Sequence, residues 1–550
     1  MRTQGIALVA TLALMVLVAL LVFGTFFRTQ IELWVTRNDT TSVQAFYAAE
    51  AGLQKYKAVL FQHYLWLERQ GNDTGGPGCY SSLVNGIDLY RDGNVLQFTD
   101  NQITLAQGES VLYAGENPIG YYDVRLIRDE RDGQIFTLVS QGTSSGAKAT
   151  VQATFRISSN EPAIFSGAQG NKWLNGGATV RGGIYIEGDD NNRDQYVIEA
   201  NGNFSLLNHY NLNDERSYPG ISNLVDQAYR RVDDLCASLR VRYGKISVGG
   251  STQIGEPGNK VKGVFVGRGT QDITGQNVNV CQNNKGVCTE AIGPFDLSNP
   301  PPLPKLDVKL DSDTCSSYST WRACLQDKAT LRIQRLGGVV SLVQPPQANL
   351  QPSCLSAMLS GTLALDQRTV DCTFTRLDGT TGGFKYSYAG GRGLLEVYGD
   401  VTLEGINVVF AKPTAYKTLS GNAKKATFVV LSKDGQGGNL DIKGNLLPDP
   451  SHGQFPNHVL GIVAEKDVYQ SGQYVMAPVY AGETFRVVKD NVLFGMVISN
   501  QFCTTSAGKS DCGAGQKAEV VHIRIPRANW PNFFPSVRMP TFQVLSYERR

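Results

Sequence analysis

Chemistry in this 550-residue chain would have to come from five histidines, ten cysteines and three groups of basic residues. The histidines, His63, His209, His452, His458 and His522, are scattered and give neither a nucleophilic triad nor a metal-ligand spacing. Gly142-Thr143-Ser144-Ser145-Gly146 matches G-x-S-x-G, but a nucleophile elbow needs a buried strand feeding a helix. Here a second amphipathic strand follows, so the motif reads as a turn. Glu187, Asp189, Asp190 and Asp194 are possible oxygen ligands, yet they lack the glycine-pinned spacing of a calcium loop and read as a solvated turn. No catalytic residue, metal or cofactor is expected.

The basic groups suit binding. Lys412, Lys417, Lys424 and Lys425 surround Tyr416, with no acid between Ala411 and Lys425. Arg230, Arg231, Arg240, Arg242 and Lys245 form a second group, partly offset by Asp233 and Asp234. Residues 521–550 carry Arg524, Arg527, Arg538, Arg549 and Arg550 against Glu548 alone, interleaved with Trp530, Phe533, Phe534, Phe542 and Tyr547. Basic side chains hold phosphates and aromatic faces accept stacked bases, a composition that fits nucleic acid. The same aromatics would equally cap or fill a β domain. Net charge is +2, so bulk electrostatics decide nothing.

The cysteines form four pairs close in sequence: Cys281 with Cys288, Cys315 with Cys324, Cys354 with Cys372, and Cys503 with Cys512. Cys79 and Cys236 remain for one long-range bridge. There is no C-x-x-C and no cysteine–histidine cluster for zinc. An even number suits disulfides in an oxidising compartment.

The elements that position these residues are of two textures. Ile6 to Phe27 is uncharged over 22 residues, and about 20 apolar residues cross a bilayer core. No proline interrupts Ile6 to Gln70, a rod on the order of 95 Å. Its second half is amphipathic: Phe46, Ala49, Leu53, Tyr56, Leu60, Tyr64 and Leu67 fall at helical spacing. Residues 71–78 break the helix, and an antiparallel meander runs from Glu109 to Ile157.

From about Pro162, short strands are punctuated by Gly, Asn and Asp, as at 183–188, 263–267, 394–399 and 401–405. Gly461, Pro478 and Gly495 open apolar sets repeating at offsets of 17, with Val468, Phe485 and Phe502 in phase. One apolar set per turn is how a β-solenoid builds a continuous core. One helix is expected in this region, with Leu224, Val225, Ala228, Val232, Leu235 and Leu239 on one face. Pro300 to Pro302 with Pro304 reads as a rigid strut or surface loop.

Only five residues precede the apolar run, and the last is Gly5. A short basic leader, a glycine and an uncharged helix resemble a type IV prepilin, with processing between Gly5 and Ile6. Residues 45–53, AFYAAEAGL, resemble the signature of PilX-type minor pilins. Two positions depart from the family. Ile6 replaces the usual Phe or Met, and Ala10 the glutamate that pairs with a neighbouring subunit's amino terminus. A buried carboxylate is costly unless paired, so a subunit without one suits the filament tip. With its large β domain the chain is similar to the large competence-associated minor pilins.

The resemblance implies an α+β type IV pilin fold, a long N-terminal helix plus antiparallel sheet, carrying a large all-β domain as a β-solenoid. Its divisions would be a leader at 1–5, a filament-core helix at 6–27, a pilin head at 28–158 and a disulfide-stapled solenoid at 159–525. Residues 526–550 would return to the head sheet or cap the solenoid. The implied function is non-enzymatic: a receptor at the pilus tip for extracellular DNA in natural transformation. A tip adhesin for a glycan or protein surface, or a structural initiator of assembly, are the alternatives. Implied partners are other minor and major pilins, the assembly machinery, a prepilin peptidase and double-stranded DNA. The chain would sit in the inner membrane by a single pass with its body in the periplasm, then move to the pilus tip at the cell surface.

Overall fold

The computed structural model describes residues 3–70, 89–91, 94–96, 102–129, 135–167, 178–200, 202–283, 285–297, 300–310, 315–345, 350, 352–419, 424–488, 490–505, 517–537 and 539–549. In the first helix, side chains are described for 11–61. The chain divides into two compact units. One comprises Met1–Gln70, Leu83–Ile157 and Phe542–Arg550, and the other Gly71–Ser82 and Ser158–Thr541.

The first unit is built on α1, Thr3–Gln70, a single helix of 68 residues. By length and composition it can cross a membrane. The hydroxyls of Thr25, Thr29, Thr36 and Thr40 return to carbonyls four residues back at 2.8–3.0 Å, so these side chains need no other partner. A short antiparallel pair, Leu89–Arg91 with Asn94–Leu96, follows, and then the five strands of the main sheet: β1 (Gln102–Ala114), β2 (Asn117–Arg128), β3 (Ile135–Ser144), β4 (Ala147–Asn160) and β5 (Met539–Arg549). They lie in that order in one sheet, and β1 to β4 form an antiparallel meander. The last strand of the chain therefore completes the sheet begun by its first strands, and the second unit is inserted between β4 and β5.

Period decides what is buried. Ala49, Leu53, Tyr56 and Leu60 on α1 pack with Val124, Leu126, Phe136, Leu138, Val151 and Phe155 from alternate strand positions. Phe46 is partly buried against them; the side chains of Tyr64 and Leu67 lie outside the described residues. The small residues of the 45–53 signature have a steric role. A Cβ on Gly142 of β3 would stand 2.0 Å from the Ala45 carbonyl oxygen and 2.4 Å from the Ala49 nitrogen. Helix backbone and strand backbone touch there because neither carries bulk. The G-x-S-x-G motif is a hairpin: Ser145 and Gly146 take φ 46° and 88°, and Ser144 pairs with Ala147. The Ser144 hydroxyl lies 2.8 Å from the Ile119 carbonyl and 2.9 Å from Gln44 Oε1, partners that tie the hairpin to the sheet and to α1.

The second unit is a stack of parallel ladders. One runs through Leu331–Leu336, Val401–Glu404, Lys425–Lys433, Val459–Ala464, Val479–Val488, Val497–Thr505, Pro162–Ser166, Gly183–Ile186, Ser238–Val241, Gly263–Val266 and Ile292–Gly293. A second includes Thr362–Leu365, Asn407–Phe410, Leu440–Ile442 and Val468–Gln470. A third runs from Arg392–Tyr398 through Thr414–Thr418, Leu446–Pro448 and Tyr474–Met476 to Lys285–Val287. Their inward residues, among them Leu331, Leu403, Phe428, Ile462, Val479, Val497, Ile164, Ile184 and Leu239, form one core. At one corner Asn439 Nδ2 donates to Asn407 Oδ1, Asp467 N to Asn439 Oδ1 and Thr484 N to Asp467 Oδ1, at 3.1, 3.3 and 3.0 Å. Stacked amides and carboxylates thus satisfy the turning backbone.

Ladder order and sequence order differ. Entering at Pro162–Ser166, the chain climbs to Ile292–Gly293, crosses along the outside to Leu331–Leu336 at the opposite end, and climbs back to its starting point. Val497 thereby pairs with Ile164. The crossing segment includes the proline strut, and it is packed rather than superficial. Leu303, Leu306 and Leu310 are buried with Tyr185, Val463 and Tyr480; Arg322 grips Glu465 at 2.7 and 2.8 Å.

Two further expectations change. The offset of 17 holds for Ile462 to Val479 and for Phe485 to Phe502. Val479 nevertheless pairs with Val497, one residue further, and a bulge between Ala481 and Thr484 restores the phase. The helix expected over 224–239 is absent. Ser222–Leu224 and Gln227–Tyr229 are 3-10 turns, Arg231–Val232 and Ser238–Val241 are strands, and Cys236 at φ 52° breaks any helix. Its apolar residues serve two cores: Leu224, Val225, Val232 and Leu235 pack with Phe455 and Phe494, whereas Leu239 belongs to the ladder interior.

Cys281–Cys288, Cys315–Cys324 and Cys354–Cys372 are disulfides. Cys236 and Cys503 are also disulfide-bonded, while Cys79 and Cys512 lie outside the described residues.

Candidate nucleic-acid interface

Residues 449–458, between the strands Leu446–Pro448 and Val459–Ala464, gather segments that are far apart in sequence. Asp449 lies 3.4 Å from Lys417 Nζ. His452 Nε2 is 3.2 Å from the Thr418 carbonyl, and Val459 N donates to the Lys424 carbonyl at 3.1 Å. Asp226 N donates to the Phe455 carbonyl at 2.9 Å. Asn457 donates to Asp226 at 2.9 Å and accepts from Asn529 at 3.2 Å. Segments carrying parts of all three basic groups, at 417–424, 226–230 and 527–529, therefore meet around one loop.

The sequence candidates sort by what surrounds each charge. Lys424 is exposed, and Lys412, Lys417, Lys425, Arg230 and Arg527 are partly exposed. Arg230 donates to the Val225 carbonyl at 2.9 Å, and exposed Arg231 pairs with Asp233 at 3.0 Å. Burial lowers the pKa of Lys425, with the nearby Asp400 carboxylate acting the other way. Arg240, Arg242 and Lys245 are directed elsewhere: Arg240 is buried and grips Asp296 at 2.8 Å through two nitrogens, Arg242 meets Glu187 at 3.3 Å, and Lys245 meets Asp194 at 2.8 Å. Arg524 is buried, and Arg538 lies outside the described residues. The acids weighed for calcium are thus largely committed to cations; Asp190 pairs with Arg193, and Asp189 caps a turn by accepting from Asn191 N at 2.9 Å.

The aromatics are structural. Tyr416 is buried and its hydroxyl donates to the Met476 carbonyl at 2.8 Å. Trp530 packs edge-on to buried Phe534 and donates to its carbonyl at 3.1 Å. Phe533 packs against the same core. In the first unit Tyr547 donates to Glu50 at 2.5 Å and Arg549 covers Phe46 at 4.2 Å. The Phe542 side chain lies outside the described residues.

A histidine pair escaped the sequence reading. His452 and His458 stand with ring centroids 4.9 Å apart. Burial, then the charges of His452 and Lys424, push the His458 pKa down to about 4. The only trace in sequence was Gly453, where a Cβ would lie 1.8 Å from the His458 ring.

Asp400 gives the site a pH dependence. Burial raises its pKa from 3.8 to about 6, although Asn532 and Thr427 donate to it. A carboxyl raised on folding contributes most below its unfolded value and loses that contribution as pH rises through the folded one. Asp400→Asn is therefore expected to gain on the parent chain by about 2 kcal/mol between pH 4 and pH 7, measured by denaturant unfolding at each pH. A stability difference independent of pH would show that Asp400 is not buried in this way.

A membrane-length helix laid on an antiparallel sheet, with a large β unit inserted before the final strand, defines a pilin with an extra domain. No protein-family model and no curated protein matches the chain. Among solved structures, the competence-associated pilin ComZ from Thermus thermophilus is 65% identical, covering 93% of this chain and 98% of its own, with a TM-score of 0.72. The chain belongs to the family of ComZ competence pilins.

Proposed function

We propose that this protein is a non-enzymatic minor pilin whose body, a β-solenoid, binds extracellular double-stranded DNA at the tip of a type IV pilus during natural transformation. Removal of residues 1–5 before Ile6 by a prepilin peptidase would shorten α1 by three residues and leave Ile6–Gln70 to pack among other pilins after assembly from the inner membrane. Ala10 lacks the carboxylate that would bind a following subunit, which supports the tip position.

The observation that carries DNA binding is the convergence of Lys417, Lys424, Arg230 and Arg527 around residues 449–458, with Lys412 further along the same ladder beside Gly444. The three lysines belong to a segment free of acids from Ala411 to Lys425. Lysine points select backbone phosphates over unstacked bases, because Tyr416, Trp530, Phe533 and Phe534, the aromatics at this surface among the described residues, are engaged in packing. Duplex should then bind at least as well as single strands of equal length, without sequence preference. The test is retention of labelled duplexes of unrelated sequence by the full chain in detergent across a salt series. Affinity should fall steeply with salt, by about 0.9 log units per log unit of salt for each phosphate engaged. Binding insensitive to salt, or restricted to one sequence, would remove the reading.

A further inference from the structure

The acidic and basic residues at 187–194 and 242–272 meet around a cavity of about 230 Å³ that DNA binding does not use. One wall is Tyr243, with the Arg193 and Arg242 guanidinium groups 5.0 and 4.8 Å from its ring centroid. Half-buried Phe295 and Leu297 also line it. Gly244 and Gly267, with φ 122° and 36°, bring backbone to the lining. Buried Asp272 accepts from Arg268 at 2.8 Å, and Arg268 also reaches Asp194 at 2.8 Å.

Charge excludes two ligand classes. Arg193, Arg242, Lys245 and Arg268 are matched by Asp190, Glu187, Asp194 and Asp272. A phosphate or carboxylate would meet no net positive field, and a wholly apolar ligand would strip water from guanidinium groups without replacing it. What fits is a neutral molecule with one apolar face and a rim of hydroxyls. The three lining guanidinium groups donate in fixed planes and the lining Asp272 carboxylate accepts, which matches adjacent hydroxyls that do both. Phe295 supplies the apolar wall.

We propose that this pocket binds one uncharged pyranose ring of a saccharide. The site is separate from the 449–458 surface, so the protein would carry two ligand classes on one body. The test uses the full chain in a detergent without a sugar headgroup, titrated with methyl glucoside, galactoside, mannoside and N-acetylglucosaminide under saturation-transfer NMR. At least one should saturate in the millimolar range, as suits a single ring in a small pocket. Phe295→Ala and the more conservative Arg193→Gln, at an exposed side chain, should each weaken it by roughly ten-fold with duplex retention unchanged. Saturation by none of the four, or equal binding by both variants, would overturn the proposal, whatever the duplex arm shows.

Discussion

Lys412→Glu, Lys417→Glu and Lys424→Glu combined are expected to lower duplex retention by on the order of a hundred-fold at moderate salt and to flatten its salt dependence by about 2–3 log units per log unit. The three contributions differ. Lys424 is exposed and Lys412 half-exposed, so each should account for close to one released counterion. Lys417 already lies 3.4 Å from Asp449, and its reversal removes a shared charge. Lys425 is left out because it is half-buried near Asp400, where a second carboxylate would test folding instead of binding. Filter binding over a salt series reads both quantities, with thermal unfolding as the control. A folded triple variant with the parent's affinity and slope would remove this surface from DNA recognition.

Gly142→Val should be the most destructive single substitution in the pilin unit. Its Cβ would stand 2.0 Å from the Ala45 carbonyl oxygen and 2.4 Å from the Ala49 nitrogen, and both are backbone atoms of α1 that cannot rotate away. The helix must lift off β3, exposing Leu53, Tyr56 and Leu60, which are now buried. Overpacking against side chains costs about 1–3 kcal/mol. Displacing a helix should exceed that, a large share of the roughly 5–15 kcal/mol that holds a domain together. Gly24→Val, where nothing lies within 4 Å, is the matched control. Thermal unfolding of both variants should show the loss for Gly142 alone; equal stability would mean that α1 does not rest on β3 as described.

Much of the pilin unit was legible because its determinants are local. The stripe from Ala49 to Leu60 follows the helical period, and Ser145-Gly146 between two alternating strands announces a hairpin. The strands of the second unit were legible for the same reason, through their glycine punctuation. At 224–239 this reasoning failed, since apolar residues at helical spacing turned out to face two different cores.

The basic groups show the boundary most clearly. Sequence could count Arg240, Arg242 and Lys245 as cations, but only the fold sets Asp296, Glu187 and Asp194 beside them. It likewise draws Arg230 and Arg527 to the loop beside Lys417 and Lys424. The amino-acid sequence alone determined the membrane-length helix, the hairpin meander, the short strands and the family resemblance, because each rests on the spacing of near neighbours. Tertiary structure decided the insertion before β5, the pairing of Val497 with Ile164 and the charges left to meet a ligand. Parallel neighbours are joined by backbone hydrogen bonds that every residue but proline can make in full, so a pairing between coils far apart in sequence, as of Val497 with Ile164, leaves no mark on the residues paired.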